Sequence, residues 1–229
     1  MSQTPTNKSA VVRRKDQVRD YLKNHDFDPI VKSTQNSGSI QRTLASLLFE
    51  TDPLIQWRAI EAMGLAAAEI IKYDREAVRR HIRRLFWLMN DESGGLCWNA
   101  PEAITEIIVK SPDLAGEYVP ILFTFMDEEP FEAGVRWSVW RLAENCPDRE
   151  FIVKTALVHL DKITNSLNHK NPKIRAHSII ALRTLEKEIG ADHIDELSKD
   201  PAEVSFYDMN DGSLKSLKVC DFLNYRTKE

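Results

Sequence analysis

Three residues in the segment WNAPEAITE could form a recognition surface. Trp98, Glu102 and Glu106 are spaced by four, so a helix that includes Trp98 would place them on one face. Further along, Trp137, Arg141 and Glu144 share a helical face, while Arg136 and Trp140 form a second row. Tryptophan and arginine concentrate binding energy because they join a large contact area to directional donors. With Asn99 added, the candidate partner-binding set is Trp98, Asn99, Glu102, Glu106, Trp137, Trp140, Arg141 and Glu144. The competing reading makes the tryptophans core residues, each ring N–H satisfied by a carbonyl.

A second candidate is the basic run REAVRRHIRR. Arg75, Arg79 and Arg83 are spaced by four, and Arg80 and Arg84 form the adjacent row. Guanidinium groups in register can grip phosphates or an acidic partner, so these five form a candidate anion-binding site. The plainer alternative is a solvated outer face, partly neutralised by Asp74 and Glu76.

Catalysis has less support. The acidic groups Asp91–Glu92, Asp127–Glu128–Glu129 and Asp148 fall at expected turns and helix starts. Carboxylates there cap free N–H groups and complement the helix dipole. No phosphate loop or nucleophile–base spacing accompanies them, so no catalytic residue is assigned. His159, His169, His177 and His193 lie near the C-terminal end without HxxxH or HExxH spacing, and no metal site or cofactor is expected. Cys97, Cys146 and Cys220 are odd in number and far apart, which fits small buried hydrophobes in a reducing cytoplasm.

Composition sets the frame. The 229 residues are 42% hydrophobic and 29% charged, enough for a continuous core. A net charge of −4 argues against nonspecific polyanion binding by the molecule as a whole. No apolar run approaches the roughly 20 residues that cross a bilayer, and the N-terminus has no apolar signal core. Residues 1–9 read as a disordered polar tail.

The elements that must position these groups follow a repeat. A helix, an acidic turn and a second helix recur about every 35–40 residues, starting near Leu44, Ile82, Val119 and Ile163. Such a period predicts a stacked α-solenoid, each unit burying its apolar face on its neighbours. Residues 10–38 form a capping helix (Ala10–Lys23) and a connector, and residues 39–199 form the repeat array. Its helix pairs are expected at Ser39–Glu50 with Pro53–Ile71, and at Arg75–Asn90 with a helix starting at Asn99. A kinked start at Gly95, after the Gly94–Gly95 turn, is the alternative. The remaining pairs are Leu114–Met126 with Phe131–Asn145, and Arg149–Leu167 with Pro172–Ile189. Asp52 before Pro53 suits an N-cap, Asn99 with Glu102 a capping box, and Gly190 a C′ stop. Residues 200–229 change pattern: alternating residues flank Asn210-Asp211-Gly212, which predicts a β-hairpin that caps the array.

The motifs LLFETD, WRAIEAMG and IRAHSIIALRTLE, the last with Ile174, Arg175 and Ser178 in an aliphatic–Arg–x–x–small pattern, resemble HEAT-like repeats of the phycobilisome-lyase type. The resemblance spans roughly Ser39–Ile189. It implies an all-α fold, a right-handed α-solenoid of about four to five HEAT-like helical hairpins, with the small C-terminal β-hairpin added. It also implies that the second helices line the concave face. It is nearly silent on function, because such scaffolds host unrelated activities. The leading expectation is a non-catalytic scaffold that binds a protein partner through that concave helical face. One alternative is nucleic-acid binding, as in the HEAT-like alkylpurine DNA glycosylases. Another is chromophore binding, as in bilin lyases, where Cys97 beside Trp98 is the suggestive pair. No membrane association is expected, and monomer and homodimer are both left open.

Overall fold

Short polar caps start four of the longer helices. Asp52 accepts from the Leu54 N–H at 2.9 Å ahead of α4 (Pro53–Ile70), and Asp74 from the Ala77 N–H at 2.9 Å ahead of α5 (Arg75–Met89). Asp148 does the same for α9 (Arg149–Leu157), and Asn171 for α11 (Pro172–Thr184). Each cap satisfies a backbone donor that the helix leaves open. The structure, a computed structural model, describes residues 7–36, 39–90 and 96–225. The Asp91–Glu92 pair, the Gly94–Gly95 turn and Gly38 lie outside them, as do residues 1–6 of the expected tail. Among the described residues there are twelve α-helices and one two-stranded antiparallel sheet. The chain divides into two units, Met1–Cys97 and Trp98–Glu229.

The first unit holds α1 (Asn7–Lys23), α2 (Asp28–Lys32), α3 (Ser39–Leu47), α4 and α5. Helix α1 begins three residues before the expected Ala10, and the expected connector carries α2 and a 3₁₀ turn, Ser33–Asn36. Helix α4 packs on α1, α2, α3 and α5, and its small Ala59, Ala62, Gly64 and Ala66 are all buried. Arg58 of α4 donates to the carbonyls of Leu22 and Lys23 at 2.9 and 2.8 Å, closing the C-terminal end of α1. His25 takes the left-handed position there, φ 53°.

The second unit is built around α8 (Glu132–Asn145), in which ten residues are buried. It packs on α6 (Ala100–Lys110), α9 and α11, so the second helices of successive pairs lie side by side. Helix α7 (Ala115–Thr124) packs on α9.

The expected single helix over Arg149–Leu167 is broken into α9 and α10 (Leu160–Asn165). Buried Arg136 of α8 donates to the Lys162 carbonyl at 3.1 Å and to Ser166 Oγ, so the end of α10 is tied to α8. Helix α11 stops at Thr184, not Ile189. Glu186 takes φ 56°, and the Lys187 N–H returns to the Leu182 carbonyl at 2.9 Å in a Schellman closure. Gly190 is therefore no C′ stop. It stands at φ −56° before α12 (Ala191–Leu197).

The hairpin pairs β1 (Glu203–Asp208) with β2 (Ser213–Lys218), Val204 opposite Leu217 and Phe206 opposite Lys215. Gly212 supplies the left-handed turn residue, φ 67°. An isolated hairpin is marginal in water. This one is held by β1, whose Val204, Phe206 and Tyr207 are buried and which packs on α11. Phe206 sits among Trp140, His177, Phe222 and Tyr225, with ring centroids 5.1–6.2 Å away.

Candidate binding surface

Helix α6 starts at Ala100, so Trp98 lies before it and shares no helical face with Glu102 and Glu106. The sequence-based ledge divides accordingly. Trp98 is 68% exposed, while Glu102 and Glu106 are buried. Asn99 stands at the N-cap position with ψ 15° and makes no side-chain cap bond, so the expected capping box with Glu102 does not form. Pro101 has no N–H to offer it.

Glu102 points inward against α8. A Cβ on Gly134 would lie 2.5 Å from Glu102 Oε2, so the absence of a side chain there makes room for the carboxylate. Lys173 of α11 brings its Nζ to 3.7 Å from Oε1, and Oε2 has no hydrogen-bond partner. Burial pushes the Glu102 carboxyl above the usual carboxylate range, and the Lys173 charge opposes that shift. Nearby, His177 Nδ1 donates to the Ala133 carbonyl at 2.8 Å. Burial drives its pKa down to about 3, so the ring is neutral.

Glu106 forms a two-point pair with Arg141: Nε to Oε1 at 2.5 Å and Nη2 to Oε2 at 3.2 Å. Arg141 is thus occupied within the fold, joining α8 to α6. The Cys146 thiol beside them is pushed up to about 11, mainly by burial and then by Glu106. Trp137 is fully buried and Trp140 is 6% exposed, so both are core residues and not a presented ledge. Arg136 is buried too, with carbonyls of Met126, Glu132 and Lys162 accepting from it. Trp140, Arg141 and Glu144 do reach a cleft of about 60 Å³ that they share with Asn145, Asp208 and Tyr225.

The arginine row lies on α5 in the first unit. Arg75, Arg80, Arg83 and Arg84 are exposed and Arg79 is half-buried. Glu76 pairs with Arg79 at 3.7 Å and with Arg83, and Asp74 pairs with Arg80 at 3.3 Å. Trp87, 64% exposed, continues this face and was not singled out from the sequence. The signal was available, because Trp87 stands three residues after Arg84 and seven after Arg80.

The other candidates have local roles. Asp127 pairs with Arg136 at 3.4 Å and Lys162 at 2.8 Å, and Asp148 is a helix cap. Cys97 is buried, so its thiol is not presented beside Trp98. Among the described residues, no three His, Cys, Asp or Glu side chains are placed to hold a metal ion, and no helix is long and apolar enough to cross a membrane.

No family model matches the chain. An uncharacterized protein of Archaeoglobus fulgidus is 29% identical over 171 residues, covering 72% of this chain and 84% of the relative. The crystal structure of an engineered protein matches 79% of this chain and 83% of its own, at 16% identity and a TM-score of 0.44.

Proposed function

We propose that the chain is a non-catalytic HEAT-like repeat scaffold that binds a protein partner through a surface of its second unit centred on Trp98. Trp98 carries this reading: a 68% exposed indole directly before a helix whose neighbouring residues are almost all buried. Tryptophan is enriched where partners bind, because its ring supplies a large contact area and a directional donor. The side-by-side packing of α6, α8 and α11 supports the α-solenoid architecture, since stacked second helices are how a repeat array builds a continuous surface. The buried roles of Trp137, Trp140, Glu102 and Glu106 narrow the surface to Trp98 and the half-buried Asn99.

The test begins with capture from native extract by the wild type and by Trp98→Ala, after nuclease treatment. A protein retained only by the wild type is then purified and its affinity measured for both forms. A loss of tenfold or more in Trp98→Ala, at unchanged helix content, is the expected result. Equal affinity for both forms would remove Trp98 from the surface.

A further inference from the structure

One face of α5 carries a dense positive charge and an exposed indole in the same row. Glu76, Arg80, Arg83, Trp87 and Asn90 are all exposed at helical spacing, with Arg84 beside them. The opposite side buries Val78, His81, Ile82, Leu85 and Met89 in the first unit. Five arginines against Asp74 and Glu76 leave three net positive charges over Asp74–Arg84, in a chain whose net charge is −4. Of these, Arg80, Arg83 and Arg84 stand on or beside the row of Trp87, so the face is locally positive against the average of the molecule.

We propose that this face binds single-stranded nucleic acid, its guanidinium groups holding phosphates while Trp87 stacks on a base. The site lies on the first unit and is independent of the surface around Trp98. Every cation in the row is arginine, whose planar fork suits phosphate oxygens better than a lysine point charge does. The pairs with Glu76 and Asp74 join half-exposed side chains, and such pairs exchange at little cost.

The indole decides among anionic partners. An acidic peptide would use the arginines and leave Trp87 idle, whereas a base stacks on it without regard to sequence. A membrane surface would take up an apolar helix face, and the apolar side of α5 is already in the core.

The experiment is fluorescence anisotropy of a labelled oligothymidine with the full-length protein at low and at physiological salt. Duplex DNA, polyglutamate and phosphatidylserine vesicles serve as the comparison ligands. Binding to the single strand is expected at low salt, with the logarithm of affinity falling linearly against the logarithm of salt. Arg80→Gln/Arg84→Gln should make that slope shallower. Trp87→Ala should lose about tenfold, and Trp87→Phe should retain most of the affinity. All three side chains are exposed, so melting should be unchanged and the variants report on binding alone. Absence of binding at low salt would overturn the proposal. So would affinity indifferent to these variants, or stronger binding to duplex, polyglutamate or vesicles.

Discussion

Glu102 and His177 are buried ionisable groups of the second unit whose effects on stability run in opposite directions with pH. The folded pKa of His177, about 3, lies below its unfolded value of about 6.5. Between those values the unfolded chain takes the proton and the folded chain does not, so stability is full above about pH 6.5 and declines as pH falls. At about 1.4 kcal/mol per pH unit, roughly 3 kcal/mol is lost by about pH 4. Denaturant titrations from pH 7 to 4 should show this fall, and His177→Gln should remove its share, leaving that of His81, which burial lowers to about 4. Glu102 has a raised folded pKa, so its contribution is full below its unfolded pKa and declines as pH rises through the folded value. Glu102→Gln should therefore gain stability relative to wild type as pH rises from about 4.5 toward neutrality. Gly134→Ala tests the space around the same carboxylate. Alanine gains about 1 kcal/mol of helix propensity, but its Cβ would lie 2.5 Å from Oε2 and 2.9 Å from Cδ of Glu102, a buried side chain that would have to shift. Overpacking of this kind costs about 1–3 kcal/mol, so a net loss in melting experiments is expected, relieved in the Glu102→Ser background.

At the scale of elements, the joint between α6 and α8 depends on Glu106 and Arg141. Arg141→Met leaves the fully buried Glu106 carboxylate without its partner, and the expected loss is about 3–5 kcal/mol in chemical denaturation. Glu106→Leu/Arg141→Met should recover much of that, because the desolvated charge is gone. The helix pairs themselves were legible from apolar spacing, Asp–Pro and Asn–Pro starts, and the Asp-Gly turn of the hairpin. Those signals are local, and α3, α4, α5, α8 and the hairpin follow them closely. The break between α9 and α10 was not legible, because Arg136, distant in sequence, fixes the end of α10. The stop at Glu186 was missed because glycine is the expected left-handed residue, and here glutamate takes that position. The division of the tryptophans was hidden for a similar reason. Spacing places Trp98 and Trp137 alike, and only the start of α6 at Ala100 and the neighbours of α8 separate an exposed ring from buried ones.

At the scale of the whole molecule, the C-terminal segment completes the core of the second unit. Phe206, Tyr207, Val219 and Phe222 are buried, and Arg183 of α11 donates to the carbonyls of Phe222 and Tyr225 at 3.0 and 2.9 Å. Phe206→Ala should cost about 3–5 kcal/mol. Truncation after Asp200 would strip Trp140 and α11 of their cover, and an increase in self-association by sedimentation is the expected outcome. Within this same unit Trp98 is exposed and Trp137 is buried, and the proposed partner surface depends on that contrast. The most direct measurement pairs chemical denaturation with partner affinity for Trp98→Ala and Trp137→Ala. The expected result is that Trp98→Ala changes stability by no more than about 0.5 kcal/mol while losing the partner. Trp137→Ala should lose about 3–5 kcal/mol of stability. A stable Trp98→Ala protein that binds the partner as well as wild type would remove Trp98 from the partner-binding surface.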